Sequence, residues 1–366
     1  TLVFTYEKKR KPRTIEGSVR MKAAILGAGA MGTTLGAHLA RKGVPIDLID
    51  PYEAHVEALN KNGARVTGCD DFVVPVHALT LDQMEGVYDL VFLLTKQTHS
   101  KESLLKLLPH LSETGTVCTL QNGVPEPAVA EIVGQARTVG GACRWGATFV
   151  APGVVKLTNQ LSSRPVSFEI GEVDGRITDR IKMVGATLDY MGHAEITDNF
   201  MGARWLKLML NCSMSGLSSA LGTIYEPVLN SDKAMTCLSY LASEVVHVSR
   251  AAGVRMTDTN GLNTAEIADF TTQAELERSK GYLYRNYYPL RTGKASMLQD
   301  LEKGKPTEVR MINGYVCQTG DKYGIETPFN DKVVEIVTKI EKGELPLSMD
   351  NVNLFDRKLF DYELYH

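Results

Sequence analysis

The sequence predicts an α/β half followed by an all-α half. Three observations predict it. Over the first half, short apolar runs suited to buried parallel strands alternate with helical periods. A glycine-rich turn, Gly27-Ala-Gly-Ala-Met-Gly32, joins the first strand to the first helix. From about Asn199 the apolar periodicity turns helical and stays so. A chain of 366 residues with 43% hydrophobic and 23% charged residues has room for about two globular domains. We expect a dinucleotide-binding α/β domain over 21–195 and a helical substrate and dimerisation domain over 196–366.

Residues 1–20 stand apart. They hold six Lys/Arg against two Glu, a net +4, which leaves −7 of the overall −3 for the rest of the chain. Their one apolar stretch, Leu2 to Phe4, is too short for a signal-peptide core. We read them as a basic extension outside the fold, not as a nucleic-acid arm. The fold begins at Met21. Lys22 to Leu26 is the first strand, and the helix after the glycine turn runs through Thr33 to Arg41, with Leu35 and Leu39 on one face. In this turn Gly27 permits the tight reversal, Gly29 lets a pyrophosphate approach the backbone, and Gly32 permits close helix–strand packing. The helix N-terminus at Ala28, Ala30 and Met31 offers free N–H groups to the phosphates.

Pro45 to Ile49 is the second strand and ends at Asp50, 23 residues after Gly27. A carboxylate there accepts from the ribose hydroxyls and repels a 2′-phosphate, which favours NADH over NADPH. The competing reading is a helix cap after Pro51. Tyr88 to Thr95 is the next strand, with Lys96-Gln97 at its C-terminal end. Ser100 is expected to cap a helix to about Leu111, and Thr116 to Leu120 is a strand ending in Gln121-Asn122-Gly123. Ligands of open α/β sheets bind outside the carboxyl ends of strands, so Lys96 and Asn122 point at the cofactor crevice. Further β structure is expected over 137–158, turning at Pro152-Gly153, and over 166–172. A closing helix is expected from Asp174 to Met191.

In the helical half, Gly202 to Leu221 is one long apolar helix. Lys207, Asn211 and Ser215 form a narrow polar stripe at i, i+4, i+8 on it. A buried polar stripe is costly unless it meets partners, water or a ligand. Ser296-Met-Leu-Gln-Asp300 and Pro306-Thr-Glu308 are the other polar clusters. On local sequence Glu308 reads first as a first-turn helix glutamate after a Thr307 cap. Six cysteines with no two at ligand spacing argue against zinc and against a disulfide framework, so we expect free thiols, no bound metal and a cytoplasmic setting. No run of about 18 apolar residues is present, so no membrane span is expected.

Taken together, Met21 to Gly32, Lys96, Leu120 to Gly123 and Trp205 to Cys212 resemble the ketopantoate reductase (2-dehydropantoate 2-reductase) family. Ser296 to Asp300 and Thr307-Glu308 with Ile312-Asn-Gly314 complete the resemblance. It implies a Rossmann domain, an all-helical domain and a site in the cleft between them. It also implies Lys207 as the catalytic proton donor, Glu308 as an acidic partner on the cofactor side, and Asn122 at the nicotinamide and substrate end. Asn211, Ser215 and Ser296 would line the 2-oxo acid site. NADPH is the family's usual cofactor and ketopantoate its substrate. Three positions depart from the family pattern. Ser215-Gly216 stands where Asn-Pro is usual, Gly293 where an Asn is frequent, and Asp50 where a basic residue is typical.

These departures leave a second reading open, an NAD-dependent D-2-hydroxyacid dehydrogenase for branched or aromatic 2-oxo acids. A redox sensor that binds NAD(P) without turnover is disfavoured by the retained Lys207 and Glu308. A homodimer is expected from the apolar helix faces, and the aromatic segment Phe355 to His366 is expected to pack on the helical domain or on a partner.

Overall fold

The computed structural model describes residues 21–158, 160–161, 166–258, 261–356 and 360. The basic segment 1–20 and residues 361–366 lie outside the described residues, as do the expectations attached to them.

The first half is built on an eight-stranded sheet in the order β12-β11-β8-β7-β6-β1-β2-β5. Its strands are β1 (Ala23–Leu26), β2 (Ile46–Ile49), β5 (His77–Leu79), β6 (Tyr88–Leu93), β7 (Leu111–Thr119), β8 (Thr138–Cys143), β11 (Phe168–Gly171) and β12 (Ala194–Ile196). All neighbours run parallel except β8 and β11. β1 and β2 are buried at every position, as expected for strands covered on both faces. The covering helices are α1 (Ala30–Arg41), α2 (Glu53–Asn62), α3 (Ser100–Leu107), α4 (Glu126–Val133) and α5 (Asp179–Leu188).

A second sheet, in the order β4-β3-β10-β9, packs over α1. It joins β3 (Ala64–Gly68) and β4 (Phe72–Val74) to the hairpin of β9 (Ala147–Ala151) and β10 (Val154–Leu157). The hairpin turns at Pro152-Gly153, with Gly153 at φ +76°. The β content of 137–158 was expected, but its division between two sheets was not. Strand β3 pairs with β10 some ninety residues later in parallel register, a partnership that no local pattern encodes.

Several boundaries differ from expectation. Helix α3 ends at Leu107, because Pro109 opens a short 3₁₀ turn at Leu108–His110. Ser100 lies inside that helix and is not its cap. The closing helix α5 is shorter than the 174–191 expected, and Thr178 caps it by accepting from the Ile181 amide.

The second half contains α6 (Phe200–Leu210), a π-helical turn (Asn211–Gly216), α7 (Leu217–Ala220), α8 (Tyr225–Leu229) and α9 (Asp232–Ala251). It continues with α10 (Thr264–Ala268), α11 (Gln273–Tyr287), α12 (Ser296–Glu302), α13 (Asn313–Tyr323) and α14 (Pro328–Glu341). α9 is the central helix, buried on almost every side. Its Glu244 accepts from the Phe329 and Asn330 amides at the start of α14, 2.6 and 2.8 Å away, where the helix dipole favours an anion. Phe355 is fully buried and stacks on Phe329, and Phe360 packs on Phe329 and Tyr240. The described part of the C-terminal segment therefore packs on its own helical half.

Candidate active site

The glycine turn shows three different environments. A Cβ on Gly27, whose φ is +97°, would lie 2.3 Å from the Thr95 nitrogen, and one on Gly32 would lie 2.1 Å from the Gly27 carbonyl oxygen. Those two glycines are filled by protein. Around Gly29, no atom of the described residues lies within 4 Å of where a Cβ would stand. Gly29 is also the N-cap of α1 and has no side-chain cap. The open space and the uncapped helix N-terminus fit a pyrophosphate. Ala30 and Met31 are partly exposed beside this space, whereas Ala28 is buried and its amide donates to the Ile49 carbonyl at 3.0 Å, so it does not offer the free N–H expected of it.

His55, which sequence reasoning missed, holds that loop. Its Nδ1 accepts from the Gly153 amide at 2.9 Å, so Nε2 carries the proton and donates to the Ala28 carbonyl at 2.9 Å. Burial lowers its pKa, which keeps the ring neutral. One imidazole thus ties the glycine loop to the second sheet. A histidine in the first turn of an exposed-looking helix gives no signal of this.

Asp50 sits at the end of β2. One carboxylate oxygen accepts from the Tyr52 amide at 3.0 Å. Tyr52, not Asp50, is the N-cap of α2, so the helix-cap reading does not describe it. Burial pushes its carboxyl up, while the Tyr52 amide and His55 pull it down.

At the other end of the crevice, loops from both halves meet. Gln97 donates from its amide nitrogen to Glu308 at 2.9 Å, and from its side chain to the Asn122 carbonyl at 2.6 Å. Lys96 forms an ion pair with Asp300 of α12 at 2.5 Å. Glu308 is buried and lies in the turn before α13, not in a helix. Burial raises its pKa, and the Gln97 amide and Lys96 oppose the rise. The cap-and-helix reading of Thr307-Glu308 is thus replaced: the carboxylate crosses to the first half. Gln97 was noted in the sequence only as the neighbour of Lys96, yet it joins Asn122 to Glu308.

Lys207, on α6, donates to the Cys143 carbonyl at the end of β8, 3.0 Å away. Burial lowers its pKa to about 8. Arg204 and Arg144 push the same way, and Cys143 and Glu169 oppose it. Asn211 opens the π turn, and its buried Nδ2 lacks a hydrogen-bond partner among the described residues. An unsatisfied buried amide of this kind fits an absent polar ligand. Ser215 Oγ lies 3.1 Å from the Tyr225 hydroxyl. Ser296, the first residue of α12, is exposed.

The long helix expected over 202–221 is therefore interrupted by a π turn, and the interruption matters. On a helix of 3.6 residues per turn, eight residues overshoot two turns by about 80°. A π turn takes more residues per turn, so Ser215 swings back towards the line of Lys207 and Asn211. Side chains satisfy the loosened carbonyls. Ser213 donates to Met209, Tyr287 to Leu210, and Asn313 to Cys212, at 2.7, 3.2 and 3.2 Å. Gly216 admits Asn313, since a Cβ there would lie 2.5 Å from its Oδ1.

Behind Lys207, Arg204 and Glu126 form a fully buried ion pair. Arg204 also donates to the Gln121 and Gly141 carbonyls at 2.8 Å. This clamp fastens α6 to the strand ends that carry Asn122 and Cys143.

Two family models match the chain. The model described as ketopantoate reductase PanE/ApbA matches residues 23–175, and that described as its C terminal matches 199–341. The chain belongs to the ketopantoate reductase family. Ketopantoate reductases are nicotinamide-dependent oxidoreductases, and the glycine turn of this member fits such a dinucleotide. The 2-dehydropantoate 2-reductase of Pyrococcus abyssi is 31% identical over 312 residues, covering 85% of this chain and 94% of that protein. The enzyme of the same name from Pyrococcus horikoshii is 28% identical with the same coverage. Among solved structures, a ketopantoate reductase from Ralstonia eutropha superposes with a TM-score of 0.75 at 26% identity, over 88% of this chain and 99% of that one. D-mandelate dehydrogenase with NADH and anilino(oxo)acetate superposes at 0.76 with 23% identity and the same coverage, a likeness of fold. Among the described residues, no helix is long and apolar enough to cross a membrane.

Proposed function

We propose that this ketopantoate reductase family member reduces a 2-oxo acid, with ketopantoate as the substrate and a D-2-hydroxy acid as the product. The observation that carries the proposal is the pairing of Lys207 with the cleft. A lysine ammonium is held by the Cys143 carbonyl at the end of β8 and brought to a pKa of about 8, on the helix whose Arg204 donates to the carbonyl of Gln121, the neighbour of Asn122. Reduction of a ketone places negative charge on oxygen. An ammonium already fixed in a half-dry site stabilises that charge and delivers the proton.

When bound, the nicotinamide supplies the hydride. Lys207 protonates the carbonyl oxygen, so hydride and proton together convert C=O to CH–OH. The open face at Gly29 and the start of α1, Ala30 and Met31 included, hold the pyrophosphate. Asn122 and Glu308, joined through Gln97, border the nicotinamide end. Asn211, whose buried amide lacks a partner among the described residues, Ser215 and Ser296 take the 2-oxo acid. Glu308 acts as a positioning residue through the Gln97 backbone, and Lys96 steers anions while tied to Asp300.

NADH is the preferred cofactor in this proposal. Among the described residues, one carboxylate oxygen of Asp50 is uncommitted, and a negative charge there disfavours a 2′-phosphate. D-mandelate dehydrogenase, similar in fold, binds NADH. Ser215 and Gly293 favour a second reading, a D-2-hydroxyacid dehydrogenase for branched or aromatic 2-oxo acids. Steady-state rates with ketopantoate, 2-ketoisovalerate and benzoylformate, each with NADH and NADPH, decide between them. We expect kcat/KM to be highest for ketopantoate with NADH. A ketopantoate preference above about 100-fold, roughly 2.7 kcal/mol of transition-state binding, removes the second reading. Higher efficiency with benzoylformate removes the first. We also place the protein in the cytoplasm, as a homodimer formed through its helical domain, 196–366.

A further inference from the structure

Two of the positions that depart from the family pattern meet at one side chain. The Tyr225 ring lies where a side chain at 293 would stand: a Cβ on Gly293 would be 3.0 Å from its Cε2 and 3.1 Å from its Cδ2. The Tyr225 amide also donates to the Gly293 carbonyl at 3.2 Å. The hydroxyl of the same ring lies 3.1 Å from Ser215 Oγ. Ser215 is the third member of the Lys207 stripe, and Gly293 lies three residues before Ser296. The phenol therefore spans from the stripe to the segment that leads into α12. All three residues are partly accessible, not sealed in the core.

The hydrogen count of this pair is informative. A serine and a tyrosine each bring one O–H, and their mutual bond uses one of the two. Among the described residues, no other hydrogen bond reaches either oxygen. One donor is left over in a half-buried wall, where water takes it in the free protein and a ligand oxygen can take it in a complex.

We infer that Tyr225 is a specificity-determining residue, and that the Ser215–Tyr225 hydroxyl pair reads an oxygen on the side chain of the 2-oxo acid. In this arrangement the pair replaces two side-chain amides with one aromatic wall and one available donor. The wall limits bulk beyond C3, and the donor selects substrates that carry a hydroxyl at C4. The inference rests on the ketopantoate reading of the same site and assigns its distal end.

Ketopantoate and trimethylpyruvate test it, because they share a carbon skeleton and differ by that one hydroxyl. The full chain and its Tyr225→Phe, Ser215→Ala and doubly substituted forms are assayed with both. We expect the ratio of kcat/KM for ketopantoate over trimethylpyruvate to fall on the order of 10-fold in Tyr225→Phe, the loss of about one hydrogen bond. The double variant should fall little further, since the two hydroxyls act as a unit. An unchanged ratio in Tyr225→Phe overturns the inference and leaves the ketopantoate reading intact. Calorimetric binding of pantoate and its deoxy analogue, with oxidised cofactor present, provides a readout independent of turnover. Equal affinities in the unsubstituted chain also overturn the inference, and binding of neither compound overturns both it and the ketopantoate reading.

Discussion

At the scale of the residue, Lys207 carries the strongest expectation. Its folded pKa, about 8, lies below the ordinary 10.5 because burial disfavours the ammonium. The proton donor is the charged form, present below pH 8 and lost as the pH rises through it. Reduction measured as kcat/KM should therefore fall above about pH 8, and the reverse oxidation, which needs the free amine, should rise there. Lys207→Ala should lower kcat by about 10³-fold or more, with cofactor affinity kept within about 3-fold. Unchanged turnover, or a pH limb that persists in residual activity, would count against the assignment. Lys207 was legible in the sequence because a lysine among apolar neighbours stands out. His55 and Gln97 were not, because their work depends on backbone groups of distant loops.

At the scale of the element, the π turn is the informative feature. The i, i+4, i+8 spacing of Lys207, Asn211 and Ser215 was visible in the sequence, but a regular helix would have fanned them over an arc of about 80°. What draws them into line is a widened turn stabilised by Ser213, Tyr287 and Asn313, two of which lie far along the chain. Gly216 is required there by contact and not by conformation: its φ is −62°, open to any residue. We expect Gly216→Ala to destabilise the protein by about 1–3 kcal/mol through overpacking against Asn313. Activity towards the 2-oxo acid should fall more than cofactor binding. Thermal unfolding and dinucleotide titration of the variant check both parts, and an unchanged melting temperature would show that the Asn313 amide yields freely.

At the scale of the whole molecule, the two halves are joined by polar groups that cross between them. Lys96 meets Asp300, Gln97 meets Glu308, and Arg204 meets Glu126 and the ends of β7 and β8. Breaking one side of a buried pair strands a charge in a medium that solvates it poorly. Arg204→Met should therefore cost about 3–5 kcal/mol in urea unfolding, and the double variant with Glu126→Leu should recover a substantial part. A single variant within about 1 kcal/mol of the unsubstituted chain would mean that water reaches the site and relieves the charge.

The alternation of β1, α1, β2, β6, α3 and β7, the glycine turn, the polar stripe and the change from α/β to α periodicity were legible in the chain, because each is a local pattern set by backbone geometry and the period of burial. The mixed second sheet, the crossing of Glu308 to Gln97, the π turn that aligns the stripe, and the meeting of Ser215, Tyr225 and Gly293 came only with the tertiary structure. Each joins residues separated by tens of positions, and their pairing depends on which surfaces the packed elements bring into contact. Chemistry of a residue type can be read from one position; a hydrogen bond needs both ends.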